Sequence, residues 1–170
     1  MPIPAWLPDL IPNTNYNNQQ EYKDALFAFF RGDFIENIAH FDGTRIGIKR
    51  YPERKGEWST FHHITTRDIN KTGNEDERVF CEHRSARIKY PRAIIGGHLH
   101  PEIRCWRERK KGEWRISILV EPADYIVILS ERKEFNLLWT AYIIDEPHEM
   151  RKLINSYNRA VKEKRALEWP

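Results

Sequence analysis

The chain has few cysteines, no long apolar run and no targeting segment. Its two cysteines, Cys81 and Cys105, are too few and too scattered for a disulfide framework. No apolar stretch approaches the roughly 20 residues of a transmembrane helix. The first residues also lack a basic segment followed by an apolar core. These absences predict a soluble, cytoplasmic protein with no membrane partner.

Short catalytic motifs are also missing. The sequence has no glycine-rich phosphate loop, no nucleophile elbow, no cysteine–histidine catalytic signature, and no CxxC, HExxH or acidic cluster. His98 and His100 alternate as they would on one face of a strand, and Cys81, Cys105 or Glu102 could complete a zinc site with them. We expect no metal and no other cofactor. A metal-dependent hydrolase using His98 and His100 remains an alternative.

The chain does have enough apolar residues for one core, and its charge is unevenly distributed. Of its 170 residues, 40% are hydrophobic, which suits a folded domain rather than a disordered chain. Residues 41–115 contain 18 Lys and Arg against 11 Asp and Glu, and five of the seven histidines. Such a basic region favours a polyanion such as RNA. A solvated charged face is the alternative.

Composition and periodicity divide the chain into an irregular arm, one α+β domain and a short tail. These are residues 1–18, 19–165 and 166–170. Prolines and asparagines make the arm irregular, and we expect Trp6 and Leu7 to pack it against the domain. No internal repeat interrupts the domain, so its helices and strands should share one core.

Three helices are expected. Helical spacing predicts the first from Gln19 to Arg31, ending at Gly32. A second, arginine-rich helix is expected from about Glu77 to Lys89. The third begins with Asp145 as its cap and Pro147 in its first turn. Its apolar stripe, expected to cover the sheet, is Met150, Leu153, Ile154, Tyr157 and Val161.

Alternating apolar residues predict a mainly antiparallel sheet of four to five strands, with the N-terminal, central and C-terminal helices packed on it. The clearest pair is 103–109 and 113–120, joined by Lys110-Lys111-Gly112 as a hairpin. Polar residues 66–77 should form a mobile loop. The other strand segments are 44–50, 58–65, 125–130 and 137–144.

The stretch Phe61-His62-His63-Ile64 supplies the first candidate catalytic residues. In a strand the two histidines point to opposite faces, so one can face a cleft. Cleavage of RNA by the ribose 2′-hydroxyl needs a base, an acid and cations on the phosphate, and imidazole exchanges protons at neutral pH. A structural, hydrogen-bonded role is the alternative.

Four arginines are candidate phosphate ligands. Arg78, Arg84 and Arg87 lie on the predicted central helix and Arg67 lies just before it. The planar guanidinium donates two hydrogen bonds to phosphate and keeps its charge. Because Arg84 and Arg87 are three residues apart, they share one helix face. Pairing with glutamates of the same helix is the alternative.

Two later segments add a hydroxyl and an aromatic side chain. Thr140 interrupts the apolar run 137–144, where it either bonds locally or contacts phosphate in an open site. The basic run 104–111, with Trp106 and Trp114 interleaved, is a combination that binds single-stranded RNA by charge and stacking. An exposed hairpin with solvated ends is the alternative for this run.

Taken in order, these segments resemble phage- and prophage-associated proteins of the barnase–EndoU–colicin–RelE class of ribonucleases. The resemblance runs from about Phe41 to Tyr157 and implies helices packed on a four- or five-stranded antiparallel sheet. Its motifs are Phe-His-His-Ile at 61–64, Arg-Ser-Ala-Arg-Ile-Lys-Tyr-Pro at 84–91, Tyr-Ile-Val-Ile-Leu at 125–129, Leu-Leu-Trp-Thr-Ala-Tyr at 137–142 and Pro-His at 147–148.

By position, the resemblance implies a base at His63, basic phosphate ligands at Arg84 and Arg87, and a hydroxyl at Thr140. The chain departs from the pattern at Ala86, where relatives carry a carboxylate. Glu82, one turn earlier, is the expected substitute.

The sequence therefore predicts a small, metal-independent endoribonuclease of prophage or toxin type that leaves a 2′,3′-cyclic phosphate. Besides RNA, an inhibitor protein is an expected partner, because a toxic nuclease needs one in its own cell. A non-catalytic nucleic-acid-binding protein or a structural phage protein is the alternative. The candidate catalytic residues are His63, His62 (if the register is shifted by one), Arg84 and Thr140, and the candidate substrate ligands are Arg67, Arg78, Arg87, Lys89 and Trp106.

Overall fold

Five helices and eight strands form the described part of the chain, residues 2–169 of a computed structural model. The helices are α1 (Gln19–Arg31), α2 (Ser59–Thr65), α3 (Glu82–Ser85), α4 (Tyr90–Gly96) and α5 (Pro147–Lys162). The strands are β1 (His40–Phe41), β2 (Thr44–Gly47), β3 (Thr66–Arg67), β4 (Val79–Phe80), β5 (Ile103–Lys110), β6 (Glu113–Val120), β7 (Tyr125–Glu131) and β8 (Asn136–Ile143).

Six of the strands form one mixed sheet in the order β1-β2-β8-β7-β6-β5. The α+β class is therefore confirmed, but the sheet has more strands than predicted. It also has one parallel pair, in which Ile46 and Gly47 of β2 lie opposite Asn136 and Leu137 of β8. A Cβ at position 47 would lie 2.8 Å from Cδ2 of Phe135. A side chain at this position would therefore have to displace the Phe135 ring.

The meander β5–β8 follows the predicted alternation closely. The hairpin β5–β6 turns at Lys111 and Gly112, whose φ angles of 50° and 80° suit a type I′ turn. All neighbours within β5–β8 are antiparallel. Alternate residues of these strands point to opposite faces, so the meander can support a core on each side.

Helices cover the sheet on both faces. The larger core lies between the sheet and α1, α2 and α4, and its buried residues include Leu26, Phe30, Phe61, Ile94, Ile118 and Val127. A smaller core lies under α5 and consists of Trp106, Leu119, Ile126, Ile144 and Ala160.

The first helix has the predicted bounds but not the predicted end. The Asn18 side chain caps α1 by accepting a hydrogen bond from the Glu21 amide at 2.9 Å. Gly32 does not end the helical backbone. It has helical dihedral angles and is the first residue of a π-helical turn, Gly32–Glu36.

The last helix also departs from the prediction in detail. Glu146, not Asp145, occupies the position before Pro147, and no side chain caps the helix. The Asp145 carboxylate instead lies within ion-pair distance of Arg67 and His83. The predicted stripe packs on the smaller core as far as Tyr157, whereas Val161 is exposed.

The strand predicted at 58–65 is wrong, because Ser59–Thr65 is the helix α2. Phe61, Ile64 and Thr65 are all buried, and their i, i+3, i+4 spacing is that of one helix face. The segment is short enough to fit either periodicity. As a result His62 and His63 are adjacent positions on a helix, not opposite faces of a strand.

The single helix predicted at 77–89 is also wrong. Val79 and Phe80 instead form β4, which pairs with β3, and only the four-residue α3 follows before a series of turns. The predicted stop at Pro91 is a helix start, since proline in the first turn of α4 has no amide hydrogen to lose.

Both ends of the described chain lie against the domain. In the arm, Leu7 is buried and Trp6 stacks on His100 with ring centroids 4.4 Å apart, as the sequence predicts. After α5, residues 165–167 run along β5, where the Leu167 amide donates to the Cys105 carbonyl at 2.8 Å. Within residues 2–169 no helix combines the length and apolar character needed to cross a membrane.

Trp106→Ala should lower the free energy of unfolding by about 3–5 kcal/mol, because it empties a fully buried site under α5. Urea denaturation followed by circular dichroism would measure this loss. The control is Val161→Ala on the exposed side of α5, with an expected change within about 0.5 kcal/mol. Equal effects of the two variants would contradict the placement of Trp106.

Candidate functional site

A small cleft of about 200 Å³ lies between α2, β8 and the polar segment after β3. It is the cleft that contains His63. Of the larger concave regions, two, of about 330 and 580 Å³, lie beside α1 and near the turn between β7 and β8. Their described lining residues include no histidine, and so no group that ordinarily exchanges protons at neutral pH. The lining of the His63 cleft is Lys49, Arg54, Ser59, Thr60, His63, Glu75, Leu137, Leu138 and Trp139.

His63 is paired with a carboxylate in this cleft. Its Nδ1 lies 2.9 Å from Oε1 of Glu75, and its side chain is 27% exposed. A carboxylate can only accept, so Nδ1 carries the hydrogen and Nε2 remains for another group. The hydrogen bond from His63 lowers the pKa of Glu75 and keeps it ionised. The pair has the arrangement of an oriented general base.

His62 has a different role because it is fully enclosed. Its Nδ1 lies 3.2 Å from Oε1 of Glu57 and its Nε2 lies 3.3 Å from the backbone oxygen of Glu75. Both ring nitrogens are thus engaged inside the fold. His62 connects the start of α2 to the Glu75 segment and is a structural residue, so its place as the catalytic substitute for His63 is not supported.

Arg78 and Arg84 converge behind the cleft on one backbone oxygen. Arg78 is buried. It donates hydrogen bonds of 2.8–3.0 Å to the side-chain Oγ1 of Thr66 and to the backbone oxygens of Thr66 and His63. Arg84 donates to the same Thr66 oxygen at 3.1 Å. Burial lowers the pKa of Arg78, and the nearby Glu75 carboxylate opposes that effect. Arg78 therefore supports the site from inside the fold and does not face substrate.

Two cations that the sequence did not single out line the cleft. The backbone amide of Lys49 donates to Thr60 Oγ1 at 2.8 Å, which fixes the Lys49 segment to α2. Arg54 pairs with Asp76 at 3.2 Å. Among residues 2–169 no carboxylate lies within ion-pair distance of the exposed Lys49. Its ammonium is thus available to an anion beside His63.

Other predicted site residues lie outside this cleft. Arg67 pairs with Asp145 at 3.6 Å, and Arg87 donates to the His83 oxygen at 2.7 Å. The Lys89 ammonium lies over the Phe29 ring, at 5.3 Å from its centre. Thr140 follows the cleft-lining Trp139 along β8 but is itself buried.

Trp106 cannot act as a base-stacking surface in this structure. Its side chain is fully buried in the core under α5, where its ring contacts that of Tyr157. The expectation that it stacks on RNA is therefore wrong. The neighbouring residue Cys105 is buried in the core on the opposite face of the sheet, and the charged Arg109 and Lys110 are exposed at the end of this edge strand.

The alternative metal site finds no support in the described residues. His98 Nδ1 lies 3.1 Å from the Ile95 oxygen, and the His100 ring is stacked on Trp6. No group of three or more His, Cys, Asp or Glu side chains within residues 2–169 is placed to hold a metal ion. The cleft near His98 and His100 is instead walled by aromatic and apolar side chains together with Glu168.

Comparisons with known protein families, with curated proteins and with solved structures found no match. The carboxylate beside His63 comes from Glu75 and not from Glu82, which is exposed on α3. Glu75 lies in a polar segment that had no catalytic signal in the sequence.

Glu75→Gln should flatten the dependence of stability on acid pH. The pKa of Glu75 is lowered from its ordinary value of 4.5, chiefly by the hydrogen bond from His63. The ionised carboxylate of Glu75 therefore stabilises the fold at pH values above 4.5. This stabilisation is lost as the pH falls through the lower pKa that Glu75 has in the folded protein. Urea midpoints of both proteins between neutral and strongly acid pH would measure the difference.

Part of the acid dependence should survive this substitution. Hydrogen bonds from the Gly73 and Thr72 amides also lower the pKa of the Asp68 carboxyl. Glu53→Gln, at an exposed position, is the control and should keep the full dependence. A Glu75→Gln protein with the parent's profile would contradict the His63–Glu75 pairing.

Proposed function

We propose that this chain is a metal-independent endoribonuclease whose reaction centre is His63. The observation that supports this most directly is the His63–Glu75 pair, 2.9 Å apart in a cleft that also contains Lys49 and Arg54. The charge surplus of residues 41–115 and the resemblance to barnase-class ribonucleases point to the same substrate. In this proposal Lys49 and Arg54 bind the phosphate, in place of the arginines of the predicted central helix.

In the proposed reaction, Nε2 of His63 removes the proton from a ribose 2′-hydroxyl. The 2′-oxygen then bonds to phosphorus, the bond from phosphorus to the 5′-oxygen breaks, and that oxygen leaves with a proton returned by the imidazolium or by water. Glu75 stabilises the imidazolium, as a carboxylate does in other oriented histidine bases. Lys49 and Arg54 balance the charge that develops on the phosphate.

The products would be one fragment with a 2′,3′-cyclic phosphate and one with a 5′-hydroxyl. These ends distinguish 2′-hydroxyl attack from hydrolysis by an activated water, which leaves a linear phosphate. They therefore report the reaction class as well as the presence of activity.

Purified protein incubated with total cellular RNA in excess EDTA should produce these cyclic ends. His63→Ala should slow cleavage by about 10²–10⁴-fold, the usual contribution of a general acid or base. His148→Ala is the matched control, since His148 is exposed on α5 away from the cleft. Thermal denaturation of all three proteins would confirm that the fold is kept.

Equal cleavage by His63→Ala and the parent would rule out His63 as the centre. RNA that is bound but stays intact, with or without added metal, would favour the non-catalytic binding protein. Cleavage that requires added metal would contradict the proposed mechanism.

A further inference from the structure

Trp139 lies at a β-bulge in β8. The pairing of β7 with β8 shifts register so that Ile128 lies opposite Thr140 and Leu129 opposite Leu138, which leaves Trp139 without a partner residue. A bulge of this kind redirects a side chain from the regular alternation. Trp139 is accordingly 38% exposed, whereas the side chains on either side of it are buried.

The exposed indole is held from one side by a cation. The guanidinium carbon of Arg115, on β6, lies 4.5 Å from the Trp139 ring centre, a distance typical of a cation–π contact. Arg115 is itself largely covered and pairs with Glu113 at 3.7 Å. Because Arg115 does not line the His63 cleft, it supports the ring without filling that cleft.

Trp139 also lines the His63 cleft, which contains cations suited to phosphate. Trp139 lines it together with Lys49, Arg54 and His63. Of the six tryptophans in the chain, Trp139 is the one that lines this cleft. Proteins that bind single strands combine a basic groove with aromatic rings on which bases stack. Both parts are present here within one small volume.

We propose that Trp139 is the stacking platform for an unpaired nucleobase next to the phosphate at His63. This inference rests on the proposed function and extends it to a substrate class, single-stranded RNA. In a duplex the bases are stacked on one another and are not free to cover an indole. The platform would therefore select loops, bulges and unpaired ends.

The test separates binding from cleavage by using RNA that cannot react. A fluorescein-labelled single strand of about ten nucleotides, 2′-O-methylated throughout, lacks the attacking hydroxyl, and fluorescence anisotropy reports its affinity. All titrations share one salt concentration, because phosphate contacts make affinity salt-dependent. The duplex of the same sequence should bind less tightly.

Trp139→Leu keeps apolar bulk but removes the aromatic ring, and should weaken binding by about 5- to 100-fold. Trp139→Phe should retain most of the affinity, because it keeps a stacking surface. Trp114→Leu is the matched control. Trp114 is also contacted by arginines, Arg107 at 4.5 Å and Arg109 at 5.7 Å, but it lies outside the cleft, so its loss should leave affinity unchanged.

The outcomes distinguish the platform from the nuclease. Trp139-dependent binding without cleavage of natural RNA would overturn the nuclease and keep the platform. Cleavage that depends on His63, with Trp139→Leu binding as the parent does, would overturn the platform and keep the nuclease. The platform would also be overturned by no binding to the single strand, by equal losses in Trp139→Leu and Trp114→Leu, or by equal affinity for duplex and single strand.

Discussion

The buried guanidinium of Arg78 holds together the part of the fold on which the candidate site depends. It ties the end of α2 to the segment that follows Thr66, by donating to the oxygens of His63 and Thr66 and to the Thr66 hydroxyl. A buried charge is tolerated only when its hydrogen bonds are satisfied. Removing it would take this donor from the His63 oxygen and the Thr66 hydroxyl, leave the Thr66 oxygen with Arg84, and free Glu75, three residues earlier, from the cation 3.7 Å from its carboxylate.

The short β2 creates the space that the cleft occupies. β2 pairs with β8 only at residues 136 and 137, so the rest of β8 has no sheet neighbour on that side. α2 packs against β8 at this opening, and His63 lines the cleft there together with Leu137 and Leu138. A longer β2 would close the sheet and leave no room between helix and strand.

The sequence predicted the local elements better than the contacts that join them. The strands from β5 to β8 and the bounds of α1 follow from periodicity within one segment, and they are confirmed to within two residues. α2 was missed because seven residues with paired histidines fit a strand as well as a helix.

Some residues of the site could likewise be predicted from the sequence, and others could not. His63 could be found from its side-chain chemistry alone. Glu75 could not, because its role depends on how a polar segment folds back onto α2. Trp139 depends on a bulge that leaves no sign in the residue pattern, and Arg78 bonds to backbone atoms that any sequence would provide.

The pairing of residues 165–167 with β5 has a consequence for how copies of this protein meet. β5 is the last strand of the sheet, and an open edge strand can recruit a strand from another molecule. The segment after α5 occupies the hydrogen-bonding groups at Cys105 and Arg107, and the remainder of the edge carries the charged Glu108, Arg109 and Lys110. The C-terminal segment and these charges therefore leave little of the β5 edge open to pairing with a strand of a second copy.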